Sequence, residues 1–138
     1  MPDRLSKKER SRLMSRVKNK NTRPELLVRS ILHRMGYRFR LHRRDLPGAP
    51  DIVLPRHRKV IFVHGCFWHG HDCPRGKRPS TRTEFWDAKL DVNIARDRAN
   101  REALEKRGWK VMVVWECELK DPKAVREKLR RFLKSNDT

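Results

Sequence analysis

Residues 50–73, PDIVLPRHRKVIFVHGCFWHGHDC, decide how this chain folds. Asp51-Ile52-Val53-Leu54 and residues 59–63 read as two apolar strands. Only Pro55-Arg56-His57-Arg58 separates them, a connection short enough for a hairpin. The second strand runs straight into three histidines, two cysteines and the pair Phe67-Trp68. A strand end that delivers so many metal-capable groups beside two large aromatics is either one metal knuckle with spare residues or two chemical tasks interleaved.

Upstream of the hairpin, Thr22 and Glu25 have the spacing of a capping box, and Pro24 is tolerated in a first helical turn. Leu27, Val28, Ile31, Leu32 and Met35 then recur at helical spacing until Gly36. Tyr37, Phe39 and Leu41 alternate with Arg38, Arg40 and His42, which predicts a half-buried strand with a basic outer face. Residues 46–50, Leu-Pro-Gly-Ala-Pro, are a turn. Downstream, a basic loop over 75–83 leads to a helix over 84–107, with a bend expected near 91–93 and Gly108 as its stop. Residues 109–115, WKVMVVW, are apolar enough for a strand in the sheet centre. Asp121 and Pro122 open a last helix whose Val125, Leu129, Phe132 and Leu133 face inward. Helix, three strands, helix, strand, helix predicts a single α/β domain with a mixed sheet flanked by helices.

Charge narrows the function. The 138 residues carry 36 Lys/Arg against 17 Asp/Glu, a formal net charge of +19. Residues 1–44 hold 15 of those cations and only Asp3, Glu9 and Glu25 as acids. Residues 1–21 therefore read as a basic arm that orders on its partner, and residues 22–138 as the domain proper. Nucleic acid is the partner such a field favours, ahead of an anionic membrane surface. No apolar stretch approaches a membrane span and no signal peptide precedes the domain. Three cysteines without an export signal point to reduced thiols in a cytosol, and to metal ligation rather than disulfides.

The loop chemistry separates into two sets. Zinc in structural sites takes four Cys or His ligands. Cys66 and Cys73 bracket His69 and His71, and Cys117 follows the last strand; if the strands ending near 64 and 115 are neighbours, three thiolates and one imidazole meet. Spacing leaves open whether that imidazole is His69 or His71. The bland alternative makes Cys117 a small core residue. Asp51 opens an apolar strand, an odd place for a charge unless it faces a cleft with His64, where a carboxylate would hold a hard cation such as Mg²⁺ and an imidazole would handle a proton. In isolation Asp51 would read as a turn residue. Glu25 is favoured as a helix cap, with a place in that acidic pocket, or both roles together, as the alternatives. Phe67 and Trp68 sit in a polar loop suited to stacking on bases. Phe85, Trp109 and Trp115 are expected in the core.

Together, VIFVHGCFWHGHDC, GAPDIVL, NKNTRPE, TRTEFWDAK, NIARD and VWECEL make the chain similar to the very short patch repair endonucleases, the Vsr proteins, over residues 1–119. The resemblance implies a restriction-endonuclease-like fold, a variant of the PD-(D/E)xK nucleases, with Pro50-Asp51 as the PD half. It implies nicking of one strand of duplex DNA 5′ of the T in a T:G mismatch, the product of 5-methylcytosine deamination. On this resemblance Asp51 ligates Mg²⁺ with help from the Val63 main-chain carbonyl, His64 and His69 are catalytic, and Glu25 supports the pocket. Cys66, His71, Cys73 and Cys117 hold a structural zinc. Phe67, Trp68 and Trp86 form a wedge at the mismatch, Lys89 and Asn93 approach the mismatched pair, and Met14 belongs to an arm closing over the opposite groove. A monomer in the bacterial cytoplasm is implied, associated with the nucleoid, with mismatch-repair proteins and a repair polymerase as further partners.

Two rivals fit parts of the pattern. A zinc-stabilised basic module that binds nucleic acid without cutting it matches the charge and the thiolates, but leaves Asp51 and two histidines idle. A ββα-metal nuclease would need a helix to supply the next ligand after the hairpin, and none is expected there.

Overall fold

The computed structural model describes residues 22–134. The expected basic arm, Met14 included, lies outside the described residues. Helix α1 (Arg23–Arg34) starts where the cap predicts, the Glu25 N–H donating to Thr22 Oγ1 at 3.3 Å. It buries Val28 and Leu32, whereas Leu27, expected to face inward, is 42% exposed. Strands β1 (Arg40–Leu41), β2 (Ile52–Leu54), β3 (Lys59–His64) and β4 (Lys110–Trp115) form one sheet in that spatial order. Neighbours β1/β2 and β2/β3 are antiparallel and β3/β4 parallel, so the sheet is mixed. Helix α2 (Thr83–Lys106) crosses between β3 and β4, and α3 (Pro122–Lys134) closes the described chain. The Ala124 N–H donates to Asp121 Oδ1, the cap expected for α3.

Two cores lie on opposite faces of the sheet. On one, Val28 and Leu32 of α1 and Val125, Leu129 and Leu133 of α3 pack on Ile52, Leu54, Ile61, Val63, Met112 and Val114. On the other, Leu104 of α2 meets Val53, Val60, Val111 and Trp109, with Phe62 alongside. Each of these aliphatic side chains contributes about 1.5–3 kcal/mol on full burial. The alternation along β3 settles the geometry of the site: Ile61 and Val63 point to α1 and α3, and Phe62 points to α2.

Three expectations about the elements are corrected. The strand predicted over 37–41 survives only at Arg40–Leu41, because its partner β2 is three residues long and Pro55 cannot donate to a ladder. Tyr37 and Phe39 still pack on the first core, but Leu41 is 40% exposed. Strand β4 is an edge strand and not central; it is apolar because helices cover both its faces. Its free carbonyls are taken by long cations, Arg101 Nη2 donating to Val111 O at 3.4 Å and Lys128 Nζ to Val113 O at 3.0 Å, which blunts the edge against strand addition. Helix α2 runs unbroken through residues 91–93.

Candidate functional site

The parallel register pairs His64 with Trp115, so the loop after β3 and the turn after β4 leave the sheet at the same end. That turn, Glu116–Lys120, carries Cys117. It is braced by Glu118, which accepts from the Trp115 N–H at 2.8 Å and from Lys128 Nζ at 2.9 Å. Cys66, His71, Cys73 and Cys117 converge there, with ligand atoms all within 4.8 Å of one another. A tetrahedral ion with metal–sulfur bonds of about 2.3 Å needs ligand separations of about 3.8 Å, so the group fits a closed four-ligand site. Three sulfurs favour a soft or borderline ion. Burial, joined by the neighbouring sulfurs, pushes the Cys66 thiol up to about 12. Cys73, despite its own desolvation, is brought down to about 7 by His71 and by backbone N–H groups. A bound cation would hold the thiols as thiolates outright. The His71 ring stacks on Trp115 at 4.1 Å, so Trp115, expected in the core, lines this cluster.

His69 faces elsewhere. Its Nδ1 lies 2.6 Å from Asp97 Oδ2 on α2; the carboxylate can only accept, so Nδ1 carries a proton, and in the neutral ring it is Nε2 that keeps the lone pair. The His69 ring lies flat against His64, centroids 3.7 Å apart and planes 3° from parallel. His64 is 7% exposed, and its Nδ1 is buried without a hydrogen-bond partner. Burial and the adjacent His69 hold its pKa down at about 3, so it is neutral at physiological pH. His64, His69 and Asp97 are close enough to suggest a chelate. Stacked imidazoles, however, aim their in-plane lone pairs in parallel, so this trio is better built to handle a proton than to grip an ion.

The third group is Glu25, His42 and Asp51, again within 4.8 Å. Asp51 Oδ2 accepts from the Val63 N–H at 2.7 Å, which ties the carboxylate to the residue preceding His64. Asp51 and His64, expected to share one pocket, fall in adjacent groups: the carboxylate gathers with Glu25 and His42, the imidazole with His69 and Asp97, and the link between them is the Val63 amide. Burial, opposed by the Val63 bond and reinforced by Glu25, pushes Asp51 up to about 7. Glu25 is buried, and its Oε2 accepts from Arg29 Nη2 at 2.9 Å and from His42 Nε2 at 3.0 Å. The Glu25 carboxylate therefore belongs to this pocket, while its backbone N–H serves the cap.

Beside these groups the aromatics form one cluster. Phe67 meets Trp68 and Trp86 edge-on at 5.0 and 5.3 Å, and Phe85 meets Trp86 at 5.2 Å. Phe85, expected in the core, is 46% exposed, with the Arg82 guanidinium 4.7 Å over its ring. Lys89 Nζ lies 5.6 Å over the Trp68 ring, and Asn93 Nδ2 donates to Trp68 O at 3.0 Å. Both side chains, expected from the resemblance to approach a mismatched base pair, lie against the Trp68 loop.

Asp97, His42 and Arg29 are the residues that sequence reasoning did not single out. Asp97 sits within the NIARD motif, and a carboxylate beside a histidine-rich loop is a plausible orienting partner, but their pairing spans 28 residues. His42 was read as part of a basic strand face.

The chain matches the family model described as DNA mismatch endonuclease Vsr over residues 2–75. It is 56% identical over 133 residues to the type II nicking enzyme V.XorIIP of Xanthomonas oryzae pv. oryzae, covering 96% of this chain and 98% of that protein. It is 45% identical to the type II nicking enzyme V.NmeAIP of Neisseria meningitidis, covering 97% and 96%. It is 44% identical over 129 residues to the DNA mismatch endonuclease Vsr of Escherichia coli, covering 94% and 80%.

Proposed function

Because the chain belongs to the Vsr family of DNA mismatch endonucleases, and so is a nuclease acting on DNA, we propose that it nicks one strand of duplex DNA 5′ of the T in a T:G mismatch and thereby starts very short patch repair. The observation that carries this reading is the His69–Asp97 pair stacked on a neutral His64, one residue from the amide that holds Asp51, with the aromatic cluster alongside.

Asp97 fixes the His69 tautomer, leaving Nε2 to take a proton from an attacking water, the arrangement general-base catalysis requires. His64, kept neutral, offers a hydrogen-bonding imidazole to the scissile phosphate and holds the plane of His69. Asp51 and the Val63 carbonyl would hold Mg²⁺, with Glu25 as their support; when bound, that ion would supply charge stabilisation at the phosphate. Zn²⁺ is the ion suited to Cys66, His71, Cys73 and Cys117, where it pins a loop too poor in apolar residues to fix itself. Phe67, Trp68 and Trp86 act as the wedge, Lys89 and Asn93 holding it towards the mismatched pair. Wedging costs a few kcal/mol per unstacked step and less at a weakly stacked wobble pair, so deformability contributes to selection.

The mixed sheet with Asp51 at its hairpin supports the restriction-endonuclease-like reading, in which residues 1–21, Met14 among them, form the DNA-gripping arm. Such an enzyme works as a monomer in the bacterial cytoplasm and hands its nick to mismatch-repair proteins and a repair polymerase.

The test is a nicking assay on a T:G duplex with Mg²⁺, paired with metal analysis. Nicking is expected to vanish in Asp51→Ala and to fall on the order of 10²-fold or more in kcat in Asp97→Asn. About one equivalent of zinc is expected in the parent and Asp51→Ala proteins and none in Cys73→Ala. Equal cutting of a T:A duplex would overturn the mismatch reading, and undiminished cutting by Asp51→Ala would overturn the cation role.

A further inference from the structure

His42 touches both acids of the cation pocket. Its side-chain Nε2 donates to Glu25 Oε2 at 3.0 Å, and its backbone N–H donates to the Asp51 carbonyl at 3.3 Å. To do both it adopts a left-handed backbone, φ 48°, a conformation disfavoured for residues with a Cβ although His tolerates it better than most. It sits immediately after β1, and so adds a polar link between α1, which carries Glu25, and the segment entering β2, which Asp51 precedes. We propose that His42 is the positioning residue that fixes Glu25 relative to Asp51 and thereby sets the affinity of the pocket for its divalent cation.

While Asp51 keeps its proton the two carboxyl groups share a hydrogen bond; with both ionised, as a bound cation requires, they repel, and the Glu25 side chain relieves that repulsion if it swings outward. Arg29, on the same helix as Glu25, neutralises its charge but moves with α1. His42, from the strand side, supplies the restraint between elements. Groups that orient a ligand rather than contact the ion are commonly worth 10–100-fold in metal affinity or activity.

The inference rests on the proposed cation role of Asp51, and its test keeps the two apart. His42→Gly retains the left-handed turn and the backbone bond while removing the imidazole; His42→Gln keeps an amide donor near the Nε2 position. Both are compared with the parent by Mg²⁺ titration of nicking, by DNA KM, and by Mn²⁺ binding to the DNA complex read from the electron paramagnetic resonance of free Mn²⁺. His42→Gly is expected to raise the Mg²⁺ half-saturation and the Mn²⁺ Kd about tenfold or more, with DNA KM and melting temperature close to the parent's. His42→Gln is expected to recover most of the loss. In a Glu25→Ala background His42→Gly should add nothing, since its effect passes through Glu25. Unchanged ion affinity in His42→Gly, a full additive effect on Glu25→Ala, or failure of His42→Gln to recover would overturn the proposal. If Asp51→Ala itself cuts normally, the fault lies with the cation site and not with His42.

Discussion

His64 ends β3, Asp51 immediately precedes the neighbouring β2, and the two are perturbed in opposite senses, which gives stability a pH signature. His64 titrates near 3 when folded against 6.5 in the unfolded chain, so between those values only the unfolded state takes up the proton. Its contribution is complete above pH 6.5 and is lost as pH falls. Asp51 titrates near 7 when folded against 3.8 unfolded, so in between only the folded state keeps the proton. Its contribution is complete below 3.8 and is lost as pH rises through 7. Each slope approaches about 1.4 kcal/mol per pH unit, and between about pH 4 and 6.5 they oppose each other. Urea melts from pH 5 to 6.5, at constant zinc and without added Mg²⁺, should show a shallow parent profile. His64→Asn should become less stable as pH rises, and Asp51→Asn more stable. Variants that both keep the parent slope would refute the assignment.

At the level of elements, the loop carrying the Cys/His cluster depends on a glycine for space. A Cβ on Gly76 would stand 1.9 Å from His71 O and 3.2 Å from Cys66 O, backbone atoms of two residues of that cluster. Gly36, by contrast, has a left-handed φ of 86° and nothing within 4 Å. Gly36→Ala should therefore cost about 1–2 kcal/mol from backbone strain alone, while Gly76→Ala should cost about 3 kcal/mol or more and lower the zinc content; thermal melts with metal analysis measure both, and normal zinc in Gly76→Ala would contradict the packing. The same contrast explains what could be read from the chain. The hairpin, α1, α3 and the convergence of Cys117 with Cys66 follow from local patterns and one strand pairing. Three things did not: the stacking of His64 on His69, the Asp97 contact and the His42 bridge, because each depends on how α2 or β1 lies against the sheet. Phe85 misled for a related reason, since its exposed ring lies against Trp86 and under the Arg82 guanidinium rather than in a core.

For the molecule as a whole, the proposed function divides recognition between a net charge of +19 and a half-buried aromatic cluster in which Phe85 is the exposed ring. Phosphate contacts carry no sequence information and weaken steeply with salt, by about 10³-fold between 50 and 200 mM for a protein making six or more of them. Binding to matched duplex should follow that slope. The ratio of T:G to T:A binding, which stacking controls, should change much less; competition binding across that salt range measures both, and a ratio that collapses with salt would assign recognition to the phosphates instead. The parallel pairing of β3 with β4 has one more consequence. Cys117 lies 44 residues beyond Cys73 in the chain, and domains emerge from the ribosome N-terminus first. A nascent polypeptide thus presents its histidines and Asp51 before Cys117, the fourth member of the Cys/His cluster, has been translated, so on the proposed reading the cutting apparatus waits for the finished sheet.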